Sequence, residues 1–366
     1  MATRSIPVTL VSGFAGVGKS VLVENLKRAL EIRRPSFIYN DGYSDLIEKV
    51  ENAIDMEGAD LIVVENMCLL EPYSVADLLA GGDDRRPPPK NIRLDTMVTV
   101  VDASTLVSDL LGSKDVIEVV PDADPEDDRT VAEVMIEQIE FADVLVLNKM
   151  DVVNRLELRR AEALLERLNP RAKILPAIFG RVPSQEIIET RLFDFENTDE
   201  GAGWLAELDG LFSDSVDSEG VSSFTYIERR PFHPFRFNEL LGDFHVKGLV
   251  RAKGSIWVAS RHNEIGIWSY AGGASLLNYG GAWFAATPAR DWPTDERERA
   301  EIMSEWVPPF GDRRQEIAFI GIDMDEQEIR ERLDECLLTS REMRDGPDAW
   351  FSMPDPLPDW HVSENT

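Results

Sequence analysis

The chain is predicted to fold as an α/β domain, a mostly parallel sheet with helices on both faces, followed by a smaller α+β domain. Three observations predict this. From residue 6 to about residue 189, short β-branched apolar runs alternate with amphipathic helical stretches. Beyond about residue 221 the pattern becomes that of half-buried strands. The length, 366 residues, exceeds what one small core needs and fits two domains of about 100–200 residues each. Regular alternation of strand and helix marks a parallel sheet covered on both sides.

In chain order, strands are read at residues 6–12, 36–39, 60–65, 96–101, 143–147 and 173–178. Several are apolar throughout, as strands buried on both faces should be. The clearest helices between them are 19–32, 129–139 and 155–168, the last stopped by Asn169-Pro170. An amphipathic helix is read over 43–56. Stretches 81–93, with three consecutive prolines, and 114–128, with a cluster of Asp and Glu, read as surface loops. An acidic linker is placed at 193–221, with one short helix at 204–208. The first domain is then 1–192 and the second 222–341, with strands at 223–229, 251–260, 266–270 and 317–323 and helices at 235–241 and 325–338. A Pro/Asp-rich tail, 342–366, is expected to be extended and packed through Trp350, Phe351 and Trp360.

Bulk properties narrow the function. A net charge of −30 argues against a nucleic-acid ligand, because sequence-independent affinity for phosphate backbones comes from Lys and Arg. No run approaches the roughly 18 apolar residues of a membrane helix, and no leader peptide is recognisable. Two cysteines far apart, Cys68 and Cys336, make no disulfide framework. A cytoplasmic protein that binds neither membrane nor nucleic acid is the expectation. Oligomeric state is not legible.

The most specific element is Gly13-Phe14-Ala15-Gly16-Val17-Gly18-Lys19-Ser20, which reads Gly-x-x-x-x-Gly-Lys-Ser between the first strand and the first helix. There the backbone can wrap phosphates with its N–H groups, and the helix adds a positive dipole end. Gly13, Gly16, Val17, Gly18, Lys19, Ser20 and Val21 are the expected phosphate-side contacts. Lys19 is assigned to the β- and γ-phosphates and Ser20 to Mg²⁺. The third strand ends on Glu65, the second Mg²⁺ residue, held directly or through water. After the fifth strand, Asn148-Lys149-Met150-Asp151 has the Asn-Lys-x-Asp spacing of a guanine reader. The Asp151 carboxylate can accept hydrogen bonds from the guanine N1–H and exocyclic amine, donors that adenine does not present together. GTP with Mg²⁺ is therefore the expected ligand of this P-loop NTPase-type domain, through Asn148, Lys149 and Asp151.

These residues resemble the CobW-like GTPases, a family of nucleotide-dependent metallochaperones and metal-insertion proteins that includes zinc-homeostasis members. The resemblance rests on the phosphate loop, Asn40-Asp41-Gly42, Glu65, Pro72, the run from Val100 to Ala103, and Asn148 to Asp151. In the second domain it rests on the runs 229–236 and 248–257, Gly272-Gly273, Trp283, 317–321 and 355–360. It implies a slow GTPase using Lys19, Ser20 and Glu65, acting in zinc or cobalt homeostasis or in delivery to a client metalloprotein.

Two departures bear on that implication. The family's Cys-x-Cys-Cys motif belongs between Asn40 and Glu65, where this chain has no cysteine. With four His and two Cys in all, the thiolate and imidazole ligands that Zn²⁺ or Co²⁺ prefer are scarce. Carboxylates at Asp41, Asp45, Glu48 and Asp55 could serve a harder ion. The family's Glu-x-x-Gly reads Glu65-Asn66-Met67-Cys68 here, and cysteine resists the positive φ that glycine adopts freely, so nucleotide binding should survive better than turnover. The alternative reading is a regulatory GTP-binding module without a transition metal, docking a partner through its C-terminal domain. Arg229, Arg230, Arg251 and Lys253 are candidates for a basic face there.

Overall fold

The computed structural model describes residues 5–30, 33–82, 86–121, 123–195 and 219–361. The chain divides into two compact units, Met1–Leu205 and Ala206–Thr366. Most of the predicted acidic linker, with its short helix at 204–208, lies outside the described residues.

The first unit is a six-stranded parallel sheet in the order β2-β3-β1-β4-β5-β6. Its strands are β1 (Ile6–Ser12), β2 (Pro35–Asn40), β3 (Leu61–Asn66), β4 (Ile92–Asp102), β5 (Val144–Asn148) and β6 (Lys173–Pro176). Central strands β1, β3 and β5 are buried almost throughout, while edge strand β2 alternates and edge strand β6 buries only Leu175, as expected where helices cover both faces of the inner strands only. Helices α1 (Lys19–Ala29), α2 (Leu46–Asp55), α3 (Pro72–Gly81), α4 (Leu106–Leu110), α5 (Val116–Val119), α6 (Val131–Glu140) and α7 (Arg155–Leu168) fill the crossovers. Capping boxes start α6 (Thr130 with Glu133) and α7 (Asn154 with Glu157), each satisfying backbone donors that helix ends leave open. One core joins Leu10, Val64, Leu46, Val50 and Val75. Because β1 has β3 on one side and β4 on the other, the chain's direction of winding reverses at β1, and a crevice opens at the carboxyl ends of these strands.

Two predicted loops are shorter than expected. Region 114–128 holds the single-turn helix α5, and β4 begins at Ile92, inside the predicted loop 81–93. Arg93 and Asp95 disguise that strand start, since a buried charge breaks an apolar run. Asp95 is fully buried but well partnered: it pairs with Arg93 and accepts from Thr96 Oγ1 (2.9 Å), Thr190 N (3.0 Å) and Arg191 N (3.3 Å).

Asp143, just before β5, accepts from Met97 N at 2.7 Å. Burial pushes its carboxyl up to about 6, with nearby Asp95 adding to the effect while the Met97 N–H and Arg171 oppose it. A carboxyl raised in the folded state contributes stability that is present below about pH 4 and lost as pH rises through about 6. Asp143→Asn keeps an acceptor for Met97 and removes the ionisation. It is expected to stabilise the protein by about 2 kcal/mol near pH 7.5, with the gain fading toward pH 4. Urea midpoints across that range measure this; a pH-independent gap between variant and native would refute it.

The second unit is a five-stranded antiparallel sheet, order β10-β9-β8-β11-β7. Its strands are β7 (Val221–Glu228), β8 (Leu249–Ile256), β9 (Glu264–Ala271), β10 (Ala274–Ala282) and β11 (Gln315–Ile322). Helices α8 (Pro234–Gly242), α9 (Glu296–Ser304) and α10 (Glu326–Cys336) follow in chain order, then α11 (Ser340–Asp345) and α12 (Pro347–Trp350). Stacked rings, Phe224 on Phe319 and Phe232 on Phe237, anchor the core beside Trp268. Strand β10 escaped the sequence reading because it is a mostly exposed edge whose register shifts between Tyr279 and Gly281; such an edge carries neither a clear period nor a continuous apolar run.

The tail differs from the extended segment predicted, since α12 forms within it. Trp350 and Trp360 are buried as expected, and Phe351 is exposed. Nor does a basic face form. Arg251 is buried, donating to Ser269 Oγ at 2.6 Å, while Arg229 pairs with Glu305 and Arg230 with Glu228.

Candidate nucleotide site

Strand β1 delivers the loop from Gly13 to Ser20 into the crevice. Gly13 and Gly18 lie at φ +137° and +104°, and both are also sterically required. A Cβ on Gly13 would stand 2.4 Å from Val100 O, and one on Gly18 would stand 2.5 Å from Asn148 Nδ2. Helix α1 then opens at Lys19 with no side-chain cap, so its first N–H groups face the loop cavity, an arrangement suited to phosphate. Lys19 Nζ donates to Gly13 O (2.5 Å) and Phe14 O (3.0 Å). Burial lowers its pKa from the ordinary value, while neighbouring Cys68 and Glu65 pull it back up. A partly buried ammonium held by two backbone carbonyls beside a helix N-terminus is a strong anion partner. Val17 is buried, so its side chain packs while its backbone lines the loop; Val21 is exposed at the start of α1, and Gly16 is exposed at the loop tip.

Ser20 Oγ donates to Glu65 Oε1 at 2.6 Å. The two residues predicted to share Mg²⁺ therefore meet, one at the start of α1 and the other near the end of β3. Behind them runs a polar ladder that the sequence reading missed. Gly42 N donates to Asn40 Oδ1 (3.4 Å), Asn40 Nδ2 to Asn66 Oδ1 (2.9 Å), and Asn66 Nδ2 to Ser12 Oγ (3.1 Å). Asn40 and Asn66 are fully buried, and buried polar groups are retained at low cost only when paired in this way. The signal available in the sequence was an amide at the end of each of two apolar strands.

The Asn-Lys-x-Asp element reaches the same place from β5, though two of its members serve the scaffold. Asn148 is buried; its Nδ2 donates to Val17 O (2.9 Å) and its Oδ1 accepts from Gly180 N (2.9 Å). Lys149 adopts a left-handed backbone, φ +60°, and its Nζ bonds Gly16 O (2.8 Å) and Asp102 Oδ2 (2.6 Å). Burial raises the Asp102 pKa, but hydrogen bonds from Lys149 and Ser104 outweigh it and hold the carboxylate below its ordinary value. Asp151 stands exposed on the turn Met150–Val152, open to a ligand. Asp102 and Gly180 were not singled out as site residues by the sequence.

Cys68 is half-buried and not at positive φ, so the backbone strain expected of cysteine at this position is absent. Its carbonyl accepts from Gln138 Nε2 at 2.8 Å. Three of the four carboxylates considered for a hard ion are engaged elsewhere: Asp41 and Asp45 pair with Lys49, and Glu48 pairs with Arg86. Among the described residues, no group of three or more His, Cys, Asp or Glu is placed to hold a metal ion, and no helix is long and apolar enough to cross a membrane.

Residues 42–176 match the family model for the CobW/HypB/UreG nucleotide-binding domain, and residues 221–337 match that for the C-terminal domain of the cobalamin synthesis protein cobW. A zinc-regulated GTPase metalloprotein activator of Dictyostelium discoideum is 31% identical, over 97% of this chain and 84% of that protein. A zinc chaperone of Mycobacterium tuberculosis is 34% identical, over 75% of this chain and 64% of its own length. Among solved structures, the Zn(II)-bound YjiA GTPase from E. coli covers 91% of this chain and 99% of its own, at 17% identity and a TM-score of 0.39.

Proposed function

The chain belongs to the CobW-like GTPase family, and on that premise we propose that it binds GTP in the crevice above β1, hydrolyses it slowly, and uses the nucleotide state to control its dealings with a zinc-dependent client. The observation that carries this reading is the Asn148 bond to Val17 O at 2.9 Å, which spans 131 residues and joins the guanine element to the phosphate loop. The loop's N–H groups and Lys19 hold the triphosphate. Asp151 accepts from the guanine edge, and Asn148 with Lys149 fixes the spacing between the two ends. Ser20 and Glu65 offer neighbouring oxygen donors, which fits Mg²⁺, an ion that takes a few protein oxygens and keeps its other ligands as water or phosphate. When bound, Mg²⁺ neutralises charge on the β- and γ-phosphates. Lys19 shares in that neutralisation, and Glu65 orients the shell around Ser20.

Glu65→Gln is the direct test of this assignment. It is expected to cut GTP turnover by roughly 10- to 100-fold, as loss of an outer-shell metal partner does, to raise the Mg²⁺ needed for half-maximal rate, and to leave GTP affinity nearly unchanged. Equal turnover in variant and native protein would remove Glu65 from the machinery. ATP serves as the specificity control, and hydrolysis no faster with GTP than with ATP would overturn the nucleotide assignment.

A second reading has an observation of its own. No cysteine lies between Asn40 and Glu65, and among the described residues Cys68 belongs to no group of three or more His, Cys, Asp or Glu placed to hold a metal. In this reading the protein is a regulatory GTP-binding module and the zinc ligands come from its client. Turnover measured with and without Zn²⁺ or Co²⁺, in native protein and Cys68→Ser, separates the two. Metal stimulation in the purified native protein supports metal handling by this chain; turnover indifferent to metal supports the regulatory module.

A further inference from the structure

Resting on the GTP assignment above, we propose that Phe179 is a base-stacking residue, presenting its ring to one face of the purine whose edge Asp151 reads. The segment after β6 makes a tight turn closed by Arg181 N to Ile178 O at 3.2 Å. Its two central residues, Phe179 and Gly180, lie at φ +52° and +61°, the sign pattern of a type I′ turn. Such turns favour Gly, Asn or Asp at both positions, and a bulky side chain at positive φ is an outlier. Gly180 is explained by packing, because a Cβ there would stand 2.8 Å from Leu22 N. Phe179 is not explained that way: its residue surface is 65% exposed, so burial contributes little to offset the strain.

The turn is nonetheless held firmly, and held against the guanine element. Asn25 Nδ2 donates to Phe179 O (2.9 Å) and Gly180 O (3.0 Å). Gly180 N donates to Asn148 Oδ1 (2.9 Å), Met150 N bonds Ala177 O (3.4 Å), and Ala177 N bonds Leu147 O (2.8 Å). The loop 177–180 thus runs alongside 147–150, placing an exposed ring next to the turn that carries Asp151. Exposed Ile178 and Val152 extend the apolar rim. Strained, over-determined backbone that displays an uncovered aromatic beside a binding element is characteristic of a ligand clamp. A purine base has the flat π-face to cover such a ring.

Stacking senses the face of the base and is blind to its edge, which gives the test its signature. GTP, GDP and ITP dissociation constants would be measured by calorimetry for native protein, Phe179→Gly, Phe179→Ala and Phe179→Tyr. Glycine suits the positive φ, so Phe179→Gly removes the ring while relieving strain, and a folding defect cannot account for its loss of affinity. Phe179→Gly and Phe179→Ala are expected to bind all three nucleotides roughly 5- to 150-fold more weakly, the equivalent of one base–aromatic stack. The GTP to ITP ratio stays constant, and Phe179→Tyr stays within about twofold of native. GTP binding by Phe179→Gly at native strength would overturn the proposal, as would a loss confined to GTP with ITP untouched. Failure of the underlying GTP assignment is distinguishable, because the native protein itself would then show no saturable GTP binding.

Discussion

Lys19→Ala is expected to weaken GTP binding by at least 100-fold while leaving the fold intact. The ammonium sits partly buried at the start of α1 between the loop carbonyls of Gly13 and Phe14, where it can exchange those neutral acceptors for phosphate oxygens without moving far. Each charge-assisted hydrogen bond it would make to phosphate is worth about 1.5–3 kcal/mol, and two of them account for the predicted loss. Alanine keeps full helix propensity at the first residue of α1, so the melting temperature should move little. Calorimetric titration with GTP, beside far-UV circular dichroism of the same sample, measures both quantities. Affinity within threefold of native would end the assignment of this loop as a phosphate cradle.

Asp151→Asn carries the second large effect, a change of preference among bases. The aspartate offers two acceptor oxygens to the two donors on the guanine edge, whereas asparagine offers one acceptor and one donor. That set matches xanthine, which keeps N1–H and replaces the exocyclic amine by a carbonyl. GTP affinity is expected to fall by about 100-fold and XTP affinity to rise until XTP is the better ligand. Because Asp151 is exposed and tethers nothing in the scaffold among the described residues, the change should not disturb the loop. A parallel loss of both nucleotides would show that Asp151 holds structure and does not read the base.

Much of this site could be read before any coordinates. The parallel sheet, the placement of the Gly13–Ser20 loop before α1 and that of Asn148–Asp151 after β5 were legible because each rests on local rules: apolar runs buried on both faces, glycines forced by φ, and a fixed spacing at a strand end. Strand β1 and helix α7 were placed to the residue. What stayed hidden depends on partners distant in sequence. Asp95 reads as a break in an apolar run until Thr190 and Arg191 arrive to satisfy it. Asn148 reads as a base contact, although both of its amide atoms are committed to Val17 and Gly180. Phe179 falls just past the strand read at 173–178, where nothing in the sequence marks it, and only the turn geometry and its exposure set it apart from an ordinary core aromatic. Cys68 illustrates the converse: a departure from the family pattern suggested strain, and the backbone at that position carries none.

The ladder from Gly42 through Asn40 and Asn66 to Ser12 has a direction, since every member passes a proton donor toward the phosphate loop. Asn40 and Asn66 each use an amide nitrogen and an amide oxygen, so aspartate, leucine or serine at either position would break the chain at one side or both. In mechanical terms the ends of β2, β3 and β1 are cross-braced. Bracing of this kind predicts that the three ends move together, and that backbone rearrangement on exchange of GTP for GDP is confined to the chain beyond Gly42 and beyond Met67. Hydrogen exchange should report this as slow, nucleotide-independent amides at the three strand ends and fast, nucleotide-dependent ones immediately after them.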